Sequence, residues 1–168
     1  MRKTLNILAI VILAVTVIGA AAVLYGMNAL EPQVISAVST VTPAANAQAA
    51  FDQALSDAAR GVFTGEVFAD PLALEAGDCR FVTYTVRLKN RGFFPAEWIA
   101  LKVQPVSSEA GQDILVLEKA GANVLPAGTE GDMAVTLLTT ISDPQPNRTL
   151  ELTCYVFGRK QAVHIQVQ

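Results

Sequence analysis

Hydrophobic positions change their spacing twice along this chain. Residues 5–30 contain no charged side chain, and all but five of them are apolar. A helix over residues 5–25 would rise roughly 30 Å, the thickness of a bilayer core. Arg2 and Lys3 are the flanking basic residues, so the positive-inside rule leaves residues 1–4 as a cytoplasmic tail and exports everything after residue 30. Tyr25 then falls at the outer interface. A cleaved signal peptide is the competing reading. Its apolar core runs to about 7–15 residues, shorter than this one, and the A-x-A pattern at Ala45-Asn46-Ala47 lies well beyond the segment. The pattern predicts an uncleaved signal-anchor helix over residues 5–30. The protein is then a single-pass cell-membrane protein with a cytoplasmic N-terminus and an extracytoplasmic C-terminal domain.

Residues 31–61 read as a stalk. Glu31-Pro32 stops the first helix, because proline removes a donor and restricts the residue before it. Residues 33–41 (QVISAVSTV) are β-branched enough for a strand. Thr42 and Pro43 then suit the N-cap and first turn of a helix, and Gly61 its end. Between them Phe51, Ala54, Leu55 and Ala58 recur on one face. The spacing predicts a helix over residues 43–60 with a narrow alanine-rich stripe, docked on the end of the following domain or packed against a partner helix.

From residue 62 to 168 the helical period gives way to alternation. Strands are expected at 62–68, 79–90, 97–103, 113–118, 132–140, 149–157 and 162–167. The second is clearest: Val82, Tyr84, Val86 and Leu88 share one face, and Thr83, Thr85, Arg87 and Lys89 the other. Turn residues separate the runs, at Asp70-Pro71, Gly77-Asp78, Asn90-Arg91-Gly92, Gly111, Pro126-Ala127-Gly128, residues 143–147 and Gly158. The fold class expected is all-β: a seven-stranded antiparallel β-sandwich of immunoglobulin or fibronectin III kind, preceded by a transmembrane helix and a short stalk helix.

The passages TYTVRLKNRGFFPAEWIALKV and LPAGTEGDMAVTLLT resemble the hairpin and the later strand of bacterial CARDB-type immunoglobulin-like extracellular domains. The resemblance covers residues 80–140 and implies a surface adhesion or spacer module. It also implies a bridge between Cys79 and Cys154, which lie in the strands linked in immunoglobulin domains. Against that stand the outward parity of Cys79 and the leucine at 152, where those domains carry a tyrosine; two separate thiols are the alternative. The most distinctive loop holds Arg91, Phe93 and Phe94 and leads into Trp98. Exposed, these side chains would form a hot spot for a protein or carbohydrate partner at the cell surface. Otherwise they plug the end of the sandwich or contact the stalk helix.

Composition narrows the chemistry. Only 16% of residues are charged, and the net charge is −3. All fifteen carboxylates lie beyond residue 30, with ten of the twelve basic residues, so neither a nucleic-acid partner nor contact with an anionic lipid surface is expected. One histidine and two cysteines argue against a metal site, and no phosphate-binding glycine loop or hydrolase motif is present, so no cofactor is expected. Residues 149–154 (TLELTC), followed by Arg159, are similar to the T-L-x-T-C strand of sortases. That resemblance implies a cysteine transpeptidase, but a histidine should precede the cysteine and His164 follows it. The expected function is non-catalytic: a binding or structural module at the cell envelope. The alternative is an accessory subunit of a membrane complex assembled through the transmembrane or stalk helix.

Overall fold

The computed structural model describes residues 2–28, 32–61, 65–67, 74–104, 107–108, 111–118, 124–141, 148–156 and 158–167. The Asp70-Pro71 turn, the loop at 143–147 and most of the strand expected at 62–68 lie outside them, as do residues 29–31.

A single helix, α1 (Arg2–Asn28), includes Arg2 and Lys3 and carries the charge-free segment as far as residue 28. After it come β1 (Gln33–Pro43), a 3₁₀ turn (Ala44–Ala47), α2 (Gln48–Ala59), β2 (Glu66–Val67), a second 3₁₀ turn (Ala76–Asp78), β3 (Cys79–Lys89) and β4 (Ala96–Val103). The chain continues through β5 (Ser107–Ser108), β6 (Gly111–Glu118), β7 (Val124–Leu125), β8 (Glu130–Thr140), β9 (Thr149–Val156) and β10 (Arg159–Gln166). Two antiparallel sheets result. The larger runs β1-β3-β8-β6-β2 with β5 hydrogen-bonded to β6, and the smaller runs β10-β9-β4-β7. Among the described residues there are therefore ten strands. Seven have eight residues or more, but they are not the expected seven.

The difference lies at the start. Of the strand expected at 62–68, only Glu66–Val67 is described as strand, paired with Val116 and Leu115 of β6. The strand expected at 33–41 is present as β1, but it belongs to the sheet and not to a stalk: it pairs with β3 from Gln33↔Lys89 to Pro43↔Arg80. The sandwich thus begins near residue 33, not 62. Thr42 and Pro43 do not cap α2; they complete the β1 ladder, where an edge position tolerates proline's missing N–H, and Pro43 leads into the 3₁₀ turn. α2 begins only at Gln48 and has no side-chain cap. Its end is as expected: Gly61 takes φ +67 and donates its N–H to Ala58 O.

Alternation along β3 and β8 creates two cores on opposite faces of the larger sheet. Val82, Tyr84, Val86, Leu88, Val135 and Leu137 point toward the smaller sheet and meet Leu101, Leu150, Leu152 and Val156. On the outer face, Cys79, Phe81, Leu115 and Leu138 are covered by Ala44 and by Phe51 and Ala54 of α2. The helix stripe is thus spent on this sheet face, not on a domain end or a partner helix. At the end of the sandwich remote from Gln33, Arg80, Thr139 and Asp113 share one register row. There Arg148 Nη2 donates to Asp113 Oδ1 at 2.8 Å, with both side chains almost fully buried.

Candidate functional site

The end of the sandwich nearest Gln33 is built around one buried asparagine. Asn90 follows β3 directly and is 2% exposed. Its Nδ2 donates to Phe94 O at 2.8 Å and to Leu125 O at 3.0 Å, while its Oδ1 accepts from Gly92 N at 2.9 Å. Its backbone N–H donates to Thr129 O at 2.9 Å, and its carbonyl accepts from Gly128 N at 2.8 Å. Nearly all of the hydrogen-bonding capacity of Asn90 is thereby used to tie the 90–95 loop to the turn before β8. That turn depends on Gly128 at φ +73, a conformation side chains disfavour. Lys89 Nζ, one residue before, donates to Glu130 Oε1 at 2.9 Å. This bond and the lysine's charge hold the Glu130 carboxyl below its usual pKa.

Because polar bonds close this end, the aromatics are not needed to plug it. Phe93 is 82% exposed, Trp98 71% and Phe94 38%, and Arg91 is also exposed. The loop does not reach the outer-face core that contains α2. Trp98 is displayed by a specific device. The β4–β9 register passes from Glu97↔Tyr155 to Ala100↔Thr153, so Trp98 and Ile99 together oppose one residue of β9. In this β-bulge Trp98 takes φ +51, which costs a bulky residue about 1–3 kcal/mol. Its ring is turned outward while Ile99 returns to the core. Beside it a shallow depression of about 330 Å³ is lined by Glu97, Trp98, Tyr155 and Gly158.

The two cysteines are not brought together. Each is a buried thiol: Cys79 in the outer-face core under α2, Cys154 in the core between the sheets. The sheet between them prevents the immunoglobulin-type bridge, as the outward parity of Cys79 implies. Burial, and secondarily the charge of Asp78, raise the Cys79 pKa above that of an ordinary thiol. The thiolate is the reactive form, so native unreduced protein in mildly alkaline buffer is expected to take up little iodoacetamide. Both thiols should alkylate at once in guanidinium. A disulfide would instead keep them inert in guanidinium until reductant is added, and mass spectrometry distinguishes the two results.

The sortase-like constellation is not assembled. Cys154 sits opposite Gln161, in the core, whereas His164 lies on the exposed side of β10 opposite Glu151, and Arg159 is exposed at the start of that strand. Among the described residues no three His, Cys, Asp or Glu side chains are grouped to hold a metal ion. Sequence reasoning missed Asn90 as the organiser of the loop and Tyr155 as a neighbour of Trp98. The N-x-G turn was the available signal for Asn90. Tyr155 gave none, because only strand pairing places it opposite Glu97.

No protein-family model matches the chain, and no curated protein matches it as a relative. Among solved structures it is similar to the GAE domain of yeast GGA1, at 12% identity and a TM-score of 0.37, over 57% of this chain and 96% of that one.

Proposed function

We propose that the chain is a single-pass membrane protein whose α1 anchors an immunoglobulin-like, CARDB-type sandwich on the extracytoplasmic side, where it serves as a binding or structural module without catalysis. The observation that carries this reading is the state of α1. Residues Asn6–Tyr25 form an apolar helical stretch of 20 residues, and none of it is buried against the rest of the protein. In water such a surface has no partner, whereas in lipid every backbone group is satisfied within the helix and the side chains are solvated. Arg2 and Lys3 supply the positive flank that favours a cytoplasmic N-terminus.

The test is extraction and topology of the full chain. The protein is expected to stay with membranes through alkaline carbonate washing and to retain residues 1–30 by intact mass. Protease added outside intact cells should cleave the sandwich and spare an N-terminal tag. Release by carbonate, loss of residues 1–30, or a protected C-terminus would each overturn the reading.

One observation favours the accessory-subunit reading within this frame. β1 closes its sheet edge with eleven residues and no charge, and Ile35, Val38 and Val41 are exposed on it. Charges ordinarily block an edge of that length; here a register shift between Val34 and Ser36 and Pro43 interrupt only its two ends, which leaves residues 36–42 to accept a strand from another chain. Co-purification of a membrane partner that is lost in Val38→Lys would support it.

A further inference from the structure

We infer that the Phe93–Trp98 end of the sandwich lies against the lipid headgroup layer of the membrane that holds α1, with the aromatic side chains in the interface. The inference rests on the anchor reading above and adds to it an orientation and a contact surface.

Three observations converge. The first is chain reach. α1 ends at Asn28, and the next strand begins at Gln33, which pairs with Lys89 immediately before the aromatic loop. Five residue steps span at most about 18 Å, while the eleven residues of β3 extend roughly 35 Å. The aromatic end is therefore the end held close to the bilayer, and the end carrying the Arg148–Asp113 pair is the remote one.

The second is the chemistry of that end. Phe93 and Trp98 are the most exposed aromatics of the described sandwich, at 82% and 71%. Asn90 fixes the loop that projects Phe93, and the bulge turns Trp98 out from a strained backbone. Aromatic rings are enriched at the headgroup level, where an apolar body and a wet rim are both accommodated.

The third is local charge. The exported part of the chain is acidic, yet this end exposes Arg91, Arg159 and Lys160, with Lys160 opposite Tyr155 in the ladder. Of the carboxylates at this end, Glu130 and Asp132 are engaged by Lys89 and Arg87, Glu97 stands beside the three cations, and Glu31 lies in the tether. Clustered cations beside exposed rings match an anionic headgroup surface. A protein partner on the same surface would have to approach within the short reach of the tether.

Trp98 is the single tryptophan of the chain, so it reports its own surroundings. The full chain is reconstituted into vesicles of phosphatidylcholine with or without phosphatidylglycerol, made with lipids brominated near the headgroup, and vesicle flotation is scored in the same samples. The expected result is co-flotation, loss of Trp98 emission by the brominated lipid, and poor access to aqueous acrylamide. The loss should be larger with phosphatidylglycerol. Phe93→Ser should reduce the quenching without lowering the melting temperature, and Arg159→Glu with Lys160→Glu should abolish the phosphatidylglycerol effect. Co-flotation with unquenched, acrylamide-accessible Trp98 would overturn the contact and leave the anchor standing. Failure to float would overturn both. Trp98 shielded from acrylamide yet unquenched by lipid would assign the surface to protein contacts and also overturn the proposal.

Discussion

A fragment beginning at residue 62, where strand alternation first dominates the sequence, is expected not to fold. A fragment beginning at residue 32 should melt cooperatively. The shorter fragment lacks β1, whose ladder with β3 runs from Gln33↔Lys89 to Pro43↔Arg80, and β3 would then expose the whole of that edge. It also lacks Ala44, Phe51 and Ala54, which cover Cys79, Phe81, Leu115 and Leu138. Truncating a buried phenylalanine such as Phe51 alone typically costs about 3–5 kcal/mol, against a total stability of roughly 5–15 kcal/mol for a domain. Losing that side chain, its neighbours and a complete strand exceeds the margin. Circular dichroism melting and size-exclusion chromatography of the two fragments provide the check. A cooperative transition of the 62–168 fragment close to that of 32–168 would show β1 and α2 to be dispensable additions to the sandwich.

The second large effect lies at the opposite end. Arg148→Ala removes the guanidinium that donates to Asp113 Oδ1 at 2.8 Å, in a pair whose side chains are 5% and 1% exposed. Asp113 sits beside a register shift in β6, where its row packs inward next to Thr139. Breaking a buried pair from one side costs about 3–5 kcal/mol, because the remaining charge stays desolvated. For a domain of this size that lowers the melting temperature by roughly 10–20 °C. Removing both charges together, as Asp113→Leu with Arg148→Met, is expected to cost clearly less than Arg148→Ala. Such non-additivity is the signature of a coupled pair. Equal melting temperatures for Arg148→Ala and the parent protein would assign the pair no structural role.

These two regions also mark where reading the sequence stops. β3, β4, β8 and β9 are legible because each alternates between a fully buried face and a more exposed one, as Val82, Tyr84 and Val86 do against Thr83, Thr85 and Arg87. β1 lacks that contrast. It is an edge strand with no fully buried residue, so its Val, Ser, Thr and Ala indicated a strand over residues 33–41 but not the sheet that it joins. The outward parity of Cys79 was visible, and it correctly opposed the bridge that the immunoglobulin resemblance implied. The aromatic loop was also visible, but its exposure was not. A loop phenylalanine can plug an open end or leave it, and the choice here was made by Asn90, which bonds across to Leu125 and uses backbone, not rings, to close the structure. Asp113 and Arg148 looked like residues of a strand end and a loop. Only folding brings them together across 35 positions.

What the sequence determined by itself is what depends on near neighbours. A charge-free, mainly apolar run makes a helix, and period-two alternation makes antiparallel strands. Tertiary structure decided what depends on distant pairing. It chose which seven long strands form the sheets, recruited the segment before residue 62 into them, separated the thiols by a sheet, buried one ion pair and turned Trp98 outward. The physical reason is that burial and strand register are properties of facing surfaces. A residue's own side chain sets what it gains from being covered, and its partners determine whether it is.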